Sequence, residues 1–189
     1  LKKGGNAVDA AVAVALALAV VQPAAGNLGG GGFLLVRMAD GRSAFVDYRE
    51  TAPGHAARDT YLRADGSLDA QAATVGYRSV AIPGTVAGLE LALRAYGTMK
   101  LKKVIGPAIR LAARGFPVSE KLAGSLRDAQ DRLEPFPASR RIFLKDGKFY
   151  APGKILRQPE LAATLRRIMR LGAEEFYRGQ TARALATEM

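Results

Sequence analysis

The stretch from Asn6 to Arg37, "NAVDAAVAVALALAVVQPAAGNLGGGGFLLVR", decides the fold, because a glycine-rich loop joins an apolar helix to a strand. From Ala7 to Val21 apolar residues occupy every side of a helix, which is typical of a helix that is covered all round in a protein core. Asn6 can cap this helix, and the Asp9 carboxylate suits its positive end. We therefore expect a central, buried helix.

A pair of strands follows the glycines. Phe33–Arg37 predicts the first strand, Asp40-Gly41 is typical of a hairpin turn, and "SAFVDYRE" (43–50) predicts the returning strand. Because side chains alternate along a strand, those of Ala44, Val46 and Tyr48 face one side of the sheet. The side chains of Phe45, Asp47 and Arg49 face the other side.

The rest of the chain favours helices. A long irregular stretch from Thr51 to Ser79 comes first, and its length is typical of functional or interface loops. The predicted elements are a helix over Val86–Tyr96 capped by Thr85, a helix over Lys103–Ala113, a helix capped by Ser119 that runs to about Leu133, a short hairpin at Asp146-Gly147, and helices over Pro159–Leu171 and Thr181–Met189. One or two hairpins cannot form an independent sheet with two covered faces. We therefore expect an α+β chain, mostly helical, that supplies part of a larger fold.

Composition excludes several classes of function. The 189 residues fit one domain, and the absence of cysteine excludes disulfides, thiolate metal sites and a cysteine nucleophile. A lone histidine, His55, argues against a histidine metal site, so we expect no metal and no cofactor. The net charge of +11 comes from scattered basic residues without interleaved aromatics, which disfavours nucleic acid, although a basic binding module stays open as an alternative.

The N-terminal apolar run is not a membrane span by its length. Ala10–Val21 is shorter than the roughly 20 residues that cross a bilayer, so we expect no membrane span. Because the chain begins with leucine, we expect that an N-terminal piece is already absent.

The four glycines do not fit a phosphate-binding loop. Phosphate loops continue into a lysine, a hydroxyl residue and a helix, whereas Gly32 is followed by Phe33 and a strand. We expect instead that these glycines allow close backbone packing and positive φ angles.

Arg49 is the candidate binding residue. It ends a strand beside a long loop, and a guanidinium is suited to bidentate binding of a carboxylate or a phosphate. The residues alone favour a local salt bridge from Arg49 to Asp47 or Glu50 on a solvated edge.

Several motifs, taken together and in order, resemble the γ-glutamyltranspeptidase family. They cover essentially the whole chain and are "GGNAVDAAVA" (4–13), "GNLGGGGF" (26–33), "DYRETAP" (47–53), "PGTVAGLELAL" (83–93), "YGTM" (96–99), "FPVSE" (116–120) and "GAEEFYRGQTARALA" (172–186). The resemblance implies the αββα sandwich of N-terminal-nucleophile hydrolases, of which residues 1–189 are a partial large-subunit segment. It also implies a precursor, a zymogen that cleaves itself to free a threonine at the start of a small subunit.

The same resemblance implies an activity and a site. The threonine attacks the γ-glutamyl amide of a donor such as glutathione, and the acyl group passes to water, amino acids or peptides. Arg49 matches the arginine of the family's (F/Y)-R-E-x-A-P motif, which grips the donor's α-carboxylate; Asp47 and Glu50 are weaker candidates for orienting its guanidinium. No residue of this chain matches a catalytic residue of the family.

The missing parts set the expected partner. Without the small subunit that carries the threonine, we expect the chain alone to be inactive and its partner to be that subunit of the same precursor. Family habit predicts a periplasmic or extracellular location. A related acylase, a poly-γ-glutamate transpeptidase or a non-catalytic truncated homologue stay open as alternatives.

Overall fold

The computed structural model describes residues 1–189 as a layer of helices with three short pairs of antiparallel strands. The elements, in chain order, are α1 Ala7–Val21, β1 Phe33–Arg37, β2 Ser43–Asp47, a 3₁₀ turn Tyr77–Ser79, α2 Thr85–Tyr96, α3 Leu101–Arg114, β3 Phe116–Pro117, α4 Glu120–Asp128, α5 Gln130–Leu133, α6 Pro137–Phe143, β4 Leu144–Lys145, β5 Lys148–Phe149, β6 Ile155–Leu156, α7 Pro159–Leu171, α8 Ala173–Arg178 and α9 Gln180–Glu188. The strand pairs are β1–β2, β3–β6 and β4–β5.

The start of α1 is capped as predicted. Asn6 Oδ1 accepts a hydrogen bond from the Asp9 backbone N–H at 3.0 Å, and Asp9 Oδ2 accepts one from the Asn6 N–H at 2.7 Å. The Asp9 carboxylate also binds Thr98 and Met99, which lie between α2 and α3. One side chain therefore caps the first helix and fixes a distant turn to it.

The prediction that α1 is covered all round is wrong within this chain. Helices α2 and α3 pack against one side of α1, where Val12 and Leu16 are buried. On the other side Val14 is 56% exposed and Leu18 is 38% exposed. The helix is apolar all round because of its sequence, but elements of this chain cover only part of it.

The β1–β2 hairpin forms with the predicted alternation. Val36 and Val46 are buried beneath the sheet, whereas the Phe33 and Phe45 rings stack on the opposite, exposed face with centroids 5.5 Å apart. These exposed rings leave an apolar face of the hairpin uncovered.

Strand β2 ends at Asp47 rather than at the predicted Glu50.

Several of the predicted helix boundaries are wrong. Helix α3 spans Leu101–Arg114 rather than the predicted Lys103–Ala113. Thr85 is the first residue of α2 rather than its cap, because Gly84 precedes the helix and the Thr85 hydroxyl donates to Asn27 Oδ1 at 2.8 Å. The helix capped by Ser119 ends at Asp128, because Ala129 interrupts it with ψ near −1° before α5 begins.

Helix α8 was missed in the sequence because its stabilising partner is remote. Gly172 adopts φ +71°, and the N–H of Ala173 donates to the Glu90 carboxylate of α2 at 2.8 Å. A cap supplied from 83 residues away leaves no local signal. Helix α6 was missed as well, and α9 begins one residue before the predicted Thr181.

The chain exposes more surface than a complete domain of its size. Its accessible surface is 12,124 Å², whereas a 20.0 kDa monomer is expected to expose roughly 8,700 Å². Part of that surface is the apolar face of the β1–β2 hairpin.

No helix is long and apolar enough to cross a membrane.

Candidate functional site around Arg49

Arg49 lies just beyond the end of β2 with its side chain 65% exposed. The Arg49 Nε atom is 3.5 Å from Glu50 Oε2, and its guanidinium carbon lies 5.7 Å from the centroid of the Phe33 ring. No side chain forms a short, bidentate pair with this guanidinium. Its N–H donors therefore stay available for an anion that enters from solvent.

The two neighbouring carboxylates contact Arg49 in different ways. The Glu50 carboxylate approaches the guanidinium of Arg49. Asp47 Oδ1 instead accepts a hydrogen bond from the Arg49 backbone N–H at 2.9 Å. Asp47 thus fixes the main chain at Arg49 rather than its side chain.

An open cleft of about 630 Å³ lies beside Arg49. The predicted irregular stretch forms its wall, because Thr51 and Ile82 exchange two backbone hydrogen bonds of 3.1 and 2.8 Å and so return the loop to the end of β2. Within the loop, the Tyr61 hydroxyl donates a hydrogen bond of 2.9 Å to the backbone carbonyl oxygen of Arg78. The lining residues are Gly29, Arg49–Pro53, Ala56, Ala57, Thr60, Tyr61 and Ser79–Ala81.

The cleft combines one cation with small neutral groups. Besides Arg49, the only charged residue that lines it is Glu50. A carboxylate-bearing ligand of modest size suits this arrangement, because Arg49 supplies a planar pair of donors and the remaining wall is short and uncharged.

The glycine run lies directly behind Arg49. Gly32 and Tyr48 exchange backbone hydrogen bonds of 3.0 and 3.3 Å, which extends the pairing of β1 and β2 by one residue. The Gly30 carbonyl accepts from the N–H groups of Gly84 and Thr85, so the run also joins the start of α2. The prediction of close backbone packing is confirmed.

The prediction of positive φ angles in this run is wrong. Positive φ occurs at eight other glycines of the chain, but at none between Gly26 and Gly32. At Gly31 a glycine is needed for space instead. A Cβ on Gly31 would lie 2.5 Å from the Tyr48 carbonyl oxygen and 2.8 Å from Arg49 Cα.

Sequence reasoning missed Tyr48, which lies beside Arg49. Burial raises the pKa of the Tyr48 phenol above its ordinary value. A usable signal was Gly88, since an isolated glycine inside a helix often marks the close approach of another group.

The other candidates do not gather into a second site. His55 is exposed in the loop after β2. No group of three or more histidine, aspartate or glutamate side chains comes together in a way that could hold a metal ion.

Comparisons with known proteins agree on one family. A profile described as Gamma-glutamyltranspeptidase matches residues 1–189. Similar curated proteins include a glutathione hydrolase proenzyme of Pseudomonas sp. (strain A14), which is 47% identical over 190 residues, covering 100% of this chain and 33% of the relative. An acylase ACY 1 proenzyme of Pseudomonas sp. (strain V22) is 39% identical over 195 residues, covering 100% of this chain and 35% of the relative.

Solved structures show the same likeness. The crystal structure of Helicobacter pylori gamma-glutamyltranspeptidase aligns with a TM-score of 0.97 and 43% identity, covering 100% of this chain and 54% of that one. This match confirms the predicted fold class, a part of the αββα fold of N-terminal-nucleophile hydrolases. The chain spans about a third of the length of the curated relatives it matches.

Proposed function

Since this chain belongs to the γ-glutamyltranspeptidase family, we propose that it supplies the donor-binding arginine of an enzyme that cleaves γ-glutamyl amides. The donor is a small γ-glutamyl compound such as glutathione, and the acyl group passes through a threonine ester to water, an amino acid or a peptide. The threonine belongs to a small subunit released by autoproteolysis of the same precursor.

One observation carries this proposal: Arg49 presents an exposed guanidinium to an open cleft, and Glu50 is the only carboxylate that pairs with it. A salt bridge of 3.5 Å between side chains this exposed stabilises the protein little. A ligand carboxylate can therefore replace or join Glu50 at low cost and gain two charge-assisted hydrogen bonds.

The uncovered apolar surface supports a partner subunit. The side of α1 that carries Val14, and the hairpin face that carries Phe33 and Phe45, are apolar and open. We propose that the rest of the precursor, including the small subunit, covers them. We also propose a periplasmic or extracellular location for the assembled enzyme.

An acylase is the second candidate function, favoured by the acylase proenzyme among the similar proteins. The acyl donors of an acylase need not carry an α-carboxylate next to a free amino group. A γ-glutamyl anilide and a glutaryl anilide compared on the mature enzyme separate the two candidates, because our proposal predicts preference for the γ-glutamyl compound.

The test of the proposal is Arg49→Lys in the mature two-subunit enzyme. Lysine keeps the charge but loses the planar pair of donors, so we expect donor binding to weaken by about 1.5–3 kcal/mol, or roughly 10- to 150-fold in KM, with kcat little changed. Arg42→Lys is the matched control, because Arg42 is exposed in the β1–β2 turn and pairs only with Asp40. Unchanged KM and kcat/KM in Arg49→Lys would contradict the proposal.

A further inference from the structure

Tyr48 connects the hairpin to Arg49 and is enclosed by glycines on several sides. Gly31 and Gly32 lie on the side of β1, and Gly84 and Gly88 lie on the side of α2. We call these four residues the glycine slot. Their sequence separation hides the fact that all of them meet one tyrosine.

Each member of the glycine slot is in contact with Tyr48. A Cβ on Gly32 would lie 3.0 Å from Tyr48 Cε2, and a Cβ on Gly88 would overlap Tyr48 Cβ and Cγ and lie 2.7 Å from Cδ1. A Cβ on Gly84 would overlap the Tyr48 carbonyl oxygen. Because none of the four has a positive φ, an alanine there is opposed by steric contacts and not by backbone strain.

The residues of α2 that border the glycine slot cannot easily move away from Tyr48. Val86 and Leu89 are buried in the core, and the N–H of Ala87 donates to the Tyr177 hydroxyl at 3.2 Å. The β2 side ends a two-stranded sheet, and Asp47 and Arg49 on either side of the half-buried Tyr48 are exposed. A methyl group added at Gly88 therefore displaces Tyr48, and the displacement passes directly to Arg49.

We propose that Tyr48 is a positioning residue for Arg49, and that the glycine slot sets the place of the Arg49 main chain so that its guanidinium meets the donor carboxylate. The inference rests on the proposed role of Arg49. Gly31 acts on the Arg49 main chain itself, because its added Cβ would lie 2.8 Å from Arg49 Cα and 2.8 Å from the Glu50 nitrogen.

The experiment uses the mature two-subunit enzyme with Gly31→Ala and Gly88→Ala. Two donors are compared, a γ-glutamyl anilide and the 4-aminobutyryl anilide that lacks the α-carboxylate. The readout is kcat/KM for the γ-glutamyl anilide divided by kcat/KM for the 4-aminobutyryl anilide. This ratio does not depend on the fraction of enzyme that is active. A purely structural defect lowers both activities equally, whereas a displaced Arg49 lowers only the activity on the carboxylate donor.

We expect the ratio to fall at least about tenfold in both variants, through a higher KM for the γ-glutamyl donor, because small displacements of a binding group are costly. Gly124→Ala is the matched control. Gly124 also lies inside a helix, α4, but its Cβ would meet only Arg127 Nη2 at 3.9 Å.

The outcomes separate this inference from the proposed function. If Arg49→Gln leaves the ratio unchanged, the proposed function fails and this inference fails with it. If Arg49→Gln lowers the ratio but both glycine variants match Gly124→Ala, only the positioning role is overturned. If neither glycine variant matures while Gly124→Ala does, the slot serves folding and the inference is likewise overturned.

Discussion

Replacing Asp9 should reveal how strongly one carboxylate holds the helix layer together. Asp9 is 2% exposed. Its Oδ1 atom accepts from the N–H groups of Thr98 at 3.0 Å and Met99 at 2.9 Å, and its Oδ2 atom accepts from the Asn6 N–H and the Thr98 hydroxyl, both at 2.7 Å. The change Asp9→Asn keeps the shape but replaces one acceptor by an NH₂ group.

The magnitude follows from the donors that lose a partner. If the amide oxygen stays on Thr98 and Met99, the new NH₂ group faces the Asn6 N–H and leaves it unpaired, while the Thr98 hydroxyl can turn to accept. One buried orphan donor costs about 1–3 kcal/mol in the free energy of unfolding. Asp9→Ala leaves all of these donors unpaired and should cost more, about 3–5 kcal/mol.

The assay is urea unfolding of the mature enzyme over a range of pH. Burial by itself would raise the pKa of Asp9, but hydrogen bonds from Thr98, Met99 and Asn6 together lower it. A lowered folded-state pKa means that the carboxylate stabilises the protein above its unfolded pKa of about 3.9, and that this stability is lost as pH falls through the folded value. The difference in the free energy of unfolding between the wild type and Asp9→Asn should therefore be largest at pH 7 and should decrease below about pH 3.9.

Asp128→Asn is the control for this series, because the Asp128 side chain is exposed and its only ion pair is with the neighbouring Arg127. Its effect should stay within about 0.5 kcal/mol. If Asp9→Asn unfolds at the same urea concentration as Asp128→Asn at pH 7, the hydrogen bonds of the Asp9 carboxylate do not stabilise the fold.

Two further predictions concern the C-terminal helices and the chain by itself. Glu175→Gln should lower the free energy of unfolding by about 1–3 kcal/mol, because the buried Glu175 carboxylate accepts hydrogen bonds from Arg167 Nε at 2.9 Å and from the Thr181 N–H at 3.1 Å. Thermal unfolding measures the loss of stability. A melting temperature equal to that of the exposed control Glu174→Gln would contradict the prediction. The 189-residue chain alone should release no amine from a γ-glutamyl anilide, since the proposed acyl transfer needs a threonine that the proposed small subunit supplies. Measurable release of amine by the purified chain would contradict this.

Local patterns were enough to predict the first helix and the hairpin. Asn6 and Asp9 cap α1 through neighbouring residues, and the alternation around Val46 sets the faces of β2, so both signals lie within a few residues of sequence. Helix α8 could not be predicted in this way, because Glu90 caps it from a different helix. Long-range hydrogen bonds leave no periodicity in the sequence.

The candidate site was predictable only in part. The residue type and strand-end position of Arg49 are suited to anion binding, and the resemblance of its motif to the family predicts that the anion is a carboxylate. The slot around Tyr48 depends on Gly31 and Gly88, which lie 57 positions apart in the chain and meet only after α2 packs against the hairpin. The glycines were correctly expected to allow close packing, but what they pack against required the structure.

A crystal structure of the mature enzyme with a γ-glutamyl donor, or the glutamate released from it, in the site tests the role of Arg49 most directly. We predict that two guanidinium nitrogens of Arg49 lie about 2.7–2.9 Å from the two oxygens of the α-carboxylate. A carboxylate held by other groups, with Arg49 still directed to Glu50, would contradict it.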